Sequence, residues 1–457
     1  MGGVCFRAEE LDFDTQDVEL DHFYLLRVIG KGAFGKVRLV QHKGTGQQYA
    51  LKCISKSRCV ELRSATNMIA ERRLLERIEY PLIVNLRYAF QDENYLFMVL
   101  DLMLGGDLRF HLDRNGPLTE MQVRFYVAEI ALSLGYLHKR RIVHRDLKPD
   151  NVLLDANGHA HLSDFNVATQ LSEKRPLRWS KAGSLAYMAP EILSKKGYST
   201  SVDWWSLGIT AYELLFGKRP FQGSTNDKII ESILNDPLEF PANASKLASD
   251  ECLDLISKLL ERSPFLRLGC GPGGFEEFRQ HPWFRGLDWM LLERKEATPP
   301  YTPNRDESNF DAVHELEELL LDEEPFRPRK RIPKPASVDM SNLTEEAQAR
   351  LLMEEKFLSF DCTKQASWKK NRPPSDSTTI VDPLAPAAAA AATPTGPSAA
   401  AEGNDGETRL LRRIGGALND HIDQAKYRSK GYIPAPSSAD DYDETIDLDT
   451  TRRSKNV

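Results

Sequence analysis

The stretch Ile142-Val-His-Arg-Asp-Leu-Lys-Pro-Asp-Asn-Val-Leu-Leu154 decides how the rest of the chain is read, because it sets His144, Arg145, Asp146, Lys148 and Asn151 close together between apolar flanks. Apolar flanks belong in a core, and a dense polar insert between them belongs at a cleft, so the stretch reads as a catalytic loop. It holds a carboxylate at Asp146, an amide at Asn151 and, two residues after the acid, a point charge at Lys148.

The chain around it has 457 residues, 41% hydrophobic and 28% charged, the composition of a soluble globular protein with additions; two lobes plus tails fit this length. A net charge of -7, with no basic and aromatic surface pattern, excludes nucleic acid as the expected partner. The six cysteines are scattered without C-x-x-C pairs, which suggests neither disulfides nor zinc and points to a reducing, cytoplasmic setting. The start, Met1-Gly-Gly-Val-Cys-Phe6, places Gly2 for myristoylation and Cys5 for palmitoylation, and so a peripheral membrane contact, although Phe6 replaces the favoured Ser or Thr. An unmodified, disordered leader over residues 1–22 is the alternative.

Upstream of the loop, Phe23 to Ile29, Lys36 to Gln41 and Gln48 to Ile54 have the pattern of three antiparallel strands. Between the first two lies Gly30-Lys-Gly-Ala-Phe-Gly-Lys-Val37, whose Gly30, Gly32 and Gly35 let backbone amides close over phosphate oxygens. It joins strand to strand, which excludes a dinucleotide-binding turn leading into a helix. Lys52 stands on the third strand, and a helix predicted over Ser64 to Ile78 carries Glu71, its expected ion-pair partner. Two further strands end at Leu100-Asp101, where a hinge is expected. Thr119 and Gln122 then form a capping box for a core helix.

Downstream, Asp155-Ala-Asn-Gly158 signals a hairpin whose second strand delivers Asp164. His159 and His161, alternate on that strand without an acidic or Cys cluster beside them, are expected to be ordinary surface histidines. Asp164-Phe-Asn166, Gly183 to Glu191 and the helical Ser201-Val-Asp-Trp-Trp-Ser-Leu-Gly208 follow in order.

Taken together, H-R-D-L-x-x-x-N, the glycine loop, Ala50-Leu-Lys52, Asp164-Phe-Asn166 and Ala189-Pro-Glu191 resemble the protein kinases. The resemblance implies an α+β, bilobal kinase fold over 23–284, with a small antiparallel-sheet lobe and a larger, mainly helical one. It implies transfer of the γ-phosphoryl group of ATP, with Mg2+, to protein hydroxyls. Asp146 would be the base, Lys148 and Lys52 would hold phosphates, Glu71 would orient Lys52, and Asn151 and Asp164 would hold metal. Gly30, Gly32, Gly35 and Val37 would cover the nucleotide, the backbone at Asp101 would meet the base, and Ser184 would line the peptide site. Lys148 is the serine/threonine-type residue. Asn166 departs from the family's Gly; as a residue tolerated in the left-handed region, it is expected to retain catalysis and alter gating. A pseudokinase scaffold is the competing reading.

Asp203-Trp-Trp-Ser-Leu-Gly208, His281-Pro-Trp-Phe284 and Ser308-Asn-Phe-Asp311 resemble the AGC group, and the D-F-N triplet its YANK-type members. This resemblance implies that Asp107, Asp150 and Glu213 read arginines ahead of the target residue, and that Arg267 pairs with Glu191. Ser180 lies where related kinases are phosphorylated, with Arg145 to receive the phosphate, but Thr169 stands where such kinases carry a supporting Lys. An AGC-like tail over 285–371 would hold Phe310 near the nucleotide, and Phe357-Leu-Ser-Phe-Asp361 would dock on the small lobe through Phe357 and Phe360 without phosphorylation; a chance match is the alternative. The basic run Arg327 to Arg331 would serve anionic lipid or nuclear import, against a plain solvated linker. Residues 372–406 are a Pro- and Ala-rich linker, and 407–457 a tail with an amphipathic helix predicted over Thr408 to Tyr427 for an unidentified partner.

Overall fold

Alternating apolar residues from Phe23 onward need a sheet with one covered face, and they build it with short turns. In a computed structural model of the chain, β1 (Phe23–Gly32), β2 (Gly35–His42), β3 (Gln48–Ser55), β4 (Leu86–Gln91) and β5 (Tyr95–Leu100) form an antiparallel sheet. The structure describes residues 17–32, 34–271, 273–304, 309 and 343–364. Strand order is β1-β2-β3-β5-β4, and the register sets Lys52 opposite Val37 of β2 and Met98 of β5. A central strand with neighbours on both sides gives that lysine a rigid base.

Two helices pack on the sheet. The expected helix at Ser64 to Ile78 is α2 (Ala65–Leu75), shorter than its pattern, and α1 (Lys56–Glu61) precedes it, capped by Ser55 accepting from Arg58 N–H. Past the hinge come α3 (Leu108–Asn115) and α4 (Glu120–Lys139); the Thr119 and Gln122 capping box forms as expected. The loop between β6 (Ile142–Val143) and β7 (Val152–Leu154) is the catalytic stretch; β7 pairs with β8 (Ala160–Leu162), and β6 with β9 (Thr169–Gln170). Then come α5 (Pro190–Leu193) and α6 (Ser201–Phe216), whose Trp204 and Trp205 are buried at the centre of the large lobe. The helices α7 (Asn226–Asn235), α8 (Ala244–Leu247), α9 (Asp250–Leu259), α10 (Gly274–Arg279) and α11 (Trp289–Glu293) surround that centre.

Three expectations need correction. Residues 17–22 are not a loose leader: Val18, Leu20 and His22 are buried, and the two apolar side chains join Phe23, Val40 and Phe97 in a second small core on the sheet's other face. His159 and His161 are buried rather than at the surface. Burial of such rings requires partners, and each has one: His159 Nδ1 lies 2.7 Å from Glu129 Oε1, and His161 Nε2 3.3 Å from Asp155 Oδ2. The third concerns Asn166 and is taken up with the site.

The tail returns to the small lobe. Helix α12 (Glu345–Lys356), capped by Thr344, packs on α1 and α2, and β10 (Phe360–Asp361) adds to the sheet by pairing with Ala89 and Tyr88 of β4. Phe357 is fully buried and Phe360 nearly so. Arg72 of α2 lies over the Phe357 ring at 5.9 Å, donates to Ser359 O at 3.3 Å and pairs with Glu76 at 2.8 Å. The docking read from the Phe357-Leu-Ser-Phe-Asp361 stretch is thus present through both phenylalanines.

Candidate active site

A buried carboxylate fixes the catalytic loop. Asp203, at the start of α6 and wholly buried, accepts from the backbone N–H of His144 at 2.9 Å and of Arg145 at 2.8 Å, and meets His138 Nε2 at 2.8 Å. Three donors hold it ionised, below the ordinary carboxylate range, although burial by itself would push it up. The loop backbone is therefore clamped on both sides of residue 144. Arg145 takes a positive φ of 71°, and Gly183 must be glycine because a Cβ there would fall 2.1 Å from Arg145 O.

Within this clamp Asp146 gathers its neighbours. Lys148 Nζ lies 3.3 Å from Asp146 Oδ2 and donates to Ser184 Oγ at 2.6 Å, while Ser184 N–H donates to Asp146 Oδ1 at 2.7 Å. Asn151 Nδ2 donates to Asp146 O at 2.8 Å and Oδ2 at 3.0 Å. Burial raises the Asp146 pKa, but Lys148 and Ser184 outweigh it and hold the carboxyl below its usual value. It is a weak base, suited to taking a proton late, once an attacking hydroxyl has become acidic.

Across the cleft, Lys52 Nζ pairs with Glu71 Oε1 at 2.9 Å and lies 3.9 Å from Asp164 Oδ1. Burial would lower the Lys52 pKa, yet Glu71 and Asp164 carry it above the usual lysine value. The pair is assembled, and with it the α2 position that an active arrangement needs. Gly35 is required by packing, since a Cβ would fall 2.0 Å from Cys53 O of β3; Gly30 and Gly32 have room. Asp101 turns its carboxylate away, to Arg87 at 2.6 Å and Asn85 at 2.9 Å, and spends its N–H on Asn85 O. Its backbone carbonyl is what remains for a base.

The D-F-N turn differs from expectation. The residue with positive φ is Asp164, at 58°, and not Asn166. Asn166 needs no glycine-like freedom in this arrangement, which is why the substitution is accommodated with Phe165 buried edge-on against His144 at 5.0 Å. Asn166 N–H reaches Asp164 Oδ1 at 3.4 Å.

The donor set fits magnesium. The Asn151 amide nitrogen is committed to Asp146, which leaves its carbonyl oxygen as the ligand, and Asp164 presents an exposed carboxylate. Magnesium typically takes one or two carboxylates plus substrate phosphates rather than a protein cage. Among the described residues no cluster of three or more His, Cys, Asp or Glu side chains forms a cage.

Several sequence-predicted residues meet partners not foreseen. Arg145 Nη1 donates to the Ser180 hydroxyl at 3.1 Å, and Arg178 Nη2 donates to Thr169 Oγ1 at 3.0 Å, so a guanidinium lies beside the threonine that stands in place of the family's Lys. Glu191 and Arg267 form the expected buried pair at 2.7 and 2.9 Å. The acids meant for substrate arginines are not free, however. Asp107 caps α3 by accepting Phe110 N–H at 2.7 Å, and Arg109 reaches Glu213 Oε1 at 2.9 Å and Asp150 Oδ2 at 3.5 Å. Nothing in the sequence marks Arg109, since a lone arginine on a helix is ordinarily a solvated charge. Asn309, beside Phe310, donates to Leu104 O at 3.1 Å at the hinge. Phe310 itself, Gly2, Cys5, the basic run and residues 372–457 lie outside the described residues.

The protein kinase domain family matches residues 23–284. Serine/threonine-protein kinase 32B of Homo sapiens is 41% identical over 348 residues, covering 74% of this chain and 82% of that protein. Serine/threonine-protein kinase 32C of Homo sapiens is 41% identical over 73% of this chain and 69% of its own. Ribosomal protein S6 kinase alpha-2 of Homo sapiens is 41% identical over 63% of this chain and 39% of its own. These relatives, with every catalytic side chain in place, do not favour the scaffold reading. The chain belongs to the protein kinase family, as a serine/threonine protein kinase of the AGC group that stands with the YANK type.

Proposed function

We propose that the enzyme transfers the γ-phosphoryl group of Mg2+-bound ATP to Ser or Thr hydroxyls of proteins. The observation that carries this reading is the convergence of Lys148, Asn151 and Ser184 on Asp146, facing Lys52, Glu71 and Asp164. Asp146 orients the target hydroxyl and accepts its proton, with Ser184 and Asn151 fixing the carboxylate's rotation. Lys148 neutralises charge on the transferring group from the side of the acceptor. Lys52, steered by Glu71, meets the nucleotide phosphates, and the β1–β2 loop excludes water above them. Asn151 and Asp164 would hold magnesium, which would supply neutralisation of phosphate charge. Most of the rate then comes from positioning and electrostatics.

The test is phosphate transfer from Mg-ATP to an arginine-containing Ser/Thr peptide library, wild type against Asp146→Asn. The variant should lose about 100- to 10,000-fold in kcat and retain ATP binding. Equal transfer by both proteins would remove Asp146 from the role of base. A cytoplasmic site of action, with membrane contact through Gly2 and Cys5, belongs to the same proposal and rests on the sequence; release of Gly2→Ala from membranes checks it.

A further inference from the structure

Arg109 is an arginine already seated among the acids expected to receive an arginine from the target. It leaves the first turn of α3, donates from Nη2 to Tyr187 Oη at 2.9 Å and meets Glu213 Oε1 at 2.9 Å; its Nε lies 3.5 Å from Asp150 Oδ2, and Nη1 3.6 Å from Asp113 Oδ1. The Tyr187 hydroxyl donates to the second oxygen of Glu213. Both oxygens of this buried carboxylate are therefore occupied by the protein's own residues. Burial would lower the Arg109 pKa, but Tyr187, Glu213 and Asp150 hold it above the usual value, and a guanidinium does not lose its charge near neutrality. Its planar fork suits two acceptors at once, so the arrangement is preorganised rather than a chance surface contact.

We propose that Arg109 is a specificity-determining residue, an internal guanidinium that fills the Asp150 and Glu213 subsite and weakens this kinase's selection for arginine in its protein substrates. An incoming arginine meets a neutralised pair and has to displace a tethered competitor, which cancels most of the charge attraction that the acids would otherwise supply. One oxygen of Asp107 caps α3, so this acid offers a partial subsite. The inference rests on the reading of this cleft as a peptide-phosphorylating site.

The experiment compares kcat/KM for a serine peptide carrying arginine, at each position ahead of the target in turn, with the same peptide carrying alanine. Wild type, Arg109→Leu and Arg109→Lys are measured. The ratio within one protein cancels any general loss of activity. Wild type should prefer arginine by less than about tenfold, Arg109→Leu should raise the ratio at one position by about tenfold or more, chiefly through KM, and Arg109→Lys should fall between. A wild-type ratio above about a hundredfold overturns the proposal without any variant, as does an equal ratio in wild type and Arg109→Leu. Should Arg109→Leu not fold, the wild-type ratio and the Lys variant decide. Absence of transfer to every peptide by wild type overturns the peptide-kinase reading itself, a result distinct from a flat ratio.

Discussion

Removing the Phe357 ring tests how the tail acts on the catalytic pair. Phe357 is fully buried with Met353 and Phe360, beneath the Arg72 guanidinium, and its carbonyl accepts from Gln91 Nε2 at 2.7 Å. Phe357→Ala empties a core site, which costs about 3–5 kcal/mol. Because α12 and β10 are held to the small lobe chiefly through this anchor, the loss falls on docking and shifts that equilibrium by about two to four orders of magnitude. Arg72 then loses Ser359 O and its ring contact, on the same helix as Glu71, one residue from the partner of Lys52. Hydrogen exchange should show lost protection at residues 345–361 and faster exchange in α2, and kcat should fall about tenfold or more as the Lys52–Glu71 pair loosens. Unphosphorylated wild type should show full protection. Unchanged exchange over 345–361 together with unchanged kcat in Phe357→Ala would refute the reasoning.

Two stability predictions follow from charges held by several partners. Asp155 accepts from the backbone N–H of Asn157 and His159 and faces Lys295 and His161; burial opposes its charge, yet these partners hold its pKa well below the usual value. A depressed folded-state pKa contributes stability that is present above about pH 3.9 and lost as pH falls through the lower folded value. Asp155→Asn should therefore cost about 1.5–3 kcal/mol at pH 7 in urea denaturation, with the difference from wild type narrowing below pH about 4. Glu191→Gln strands the Arg267 guanidinium, which is buried and has Trp205 beside it at 5.3 Å; calorimetry should show a loss of about 3 kcal/mol or more and a Tm about 6 °C or more lower.

Much of this was legible before folding. Asp146, Lys148, Asn151 and Ser184 meet as the motif order implied, because spacing in a loop clamped at Asp203 leaves little freedom. Lys52 and Glu71 meet because a lysine at a fixed strand register faces one turn of α2. What resisted reading depended on distant partners. The burial of His159 and His161 follows from β8 being covered on both faces, so a two-residue alternation says nothing about exposure there. The occupied state of Asp150 and Glu213 depends on Arg109, a lone arginine whose distant partners the sequence does not reveal. Packing of Val18 and Leu20 was hidden by the acidic residues around them, and the Phe357 and Phe360 pair became more than a short apolar match only against the β4 edge.

That edge also has a history in time. The strand β10, which covers Tyr88 and Ala89, is encoded some 270 residues after the β4 strand it pairs with. Synthesis at about 5–20 residues per second leaves the growing small lobe without its last strand for roughly 15–55 s. Throughout that interval the β4 edge offers unpaired N–H and C=O groups, the kind of template on which chains join one another. The docking segment is thus the last step of the sheet's assembly on the ribosome, and a chain released before residue 361 leaves with that edge uncovered.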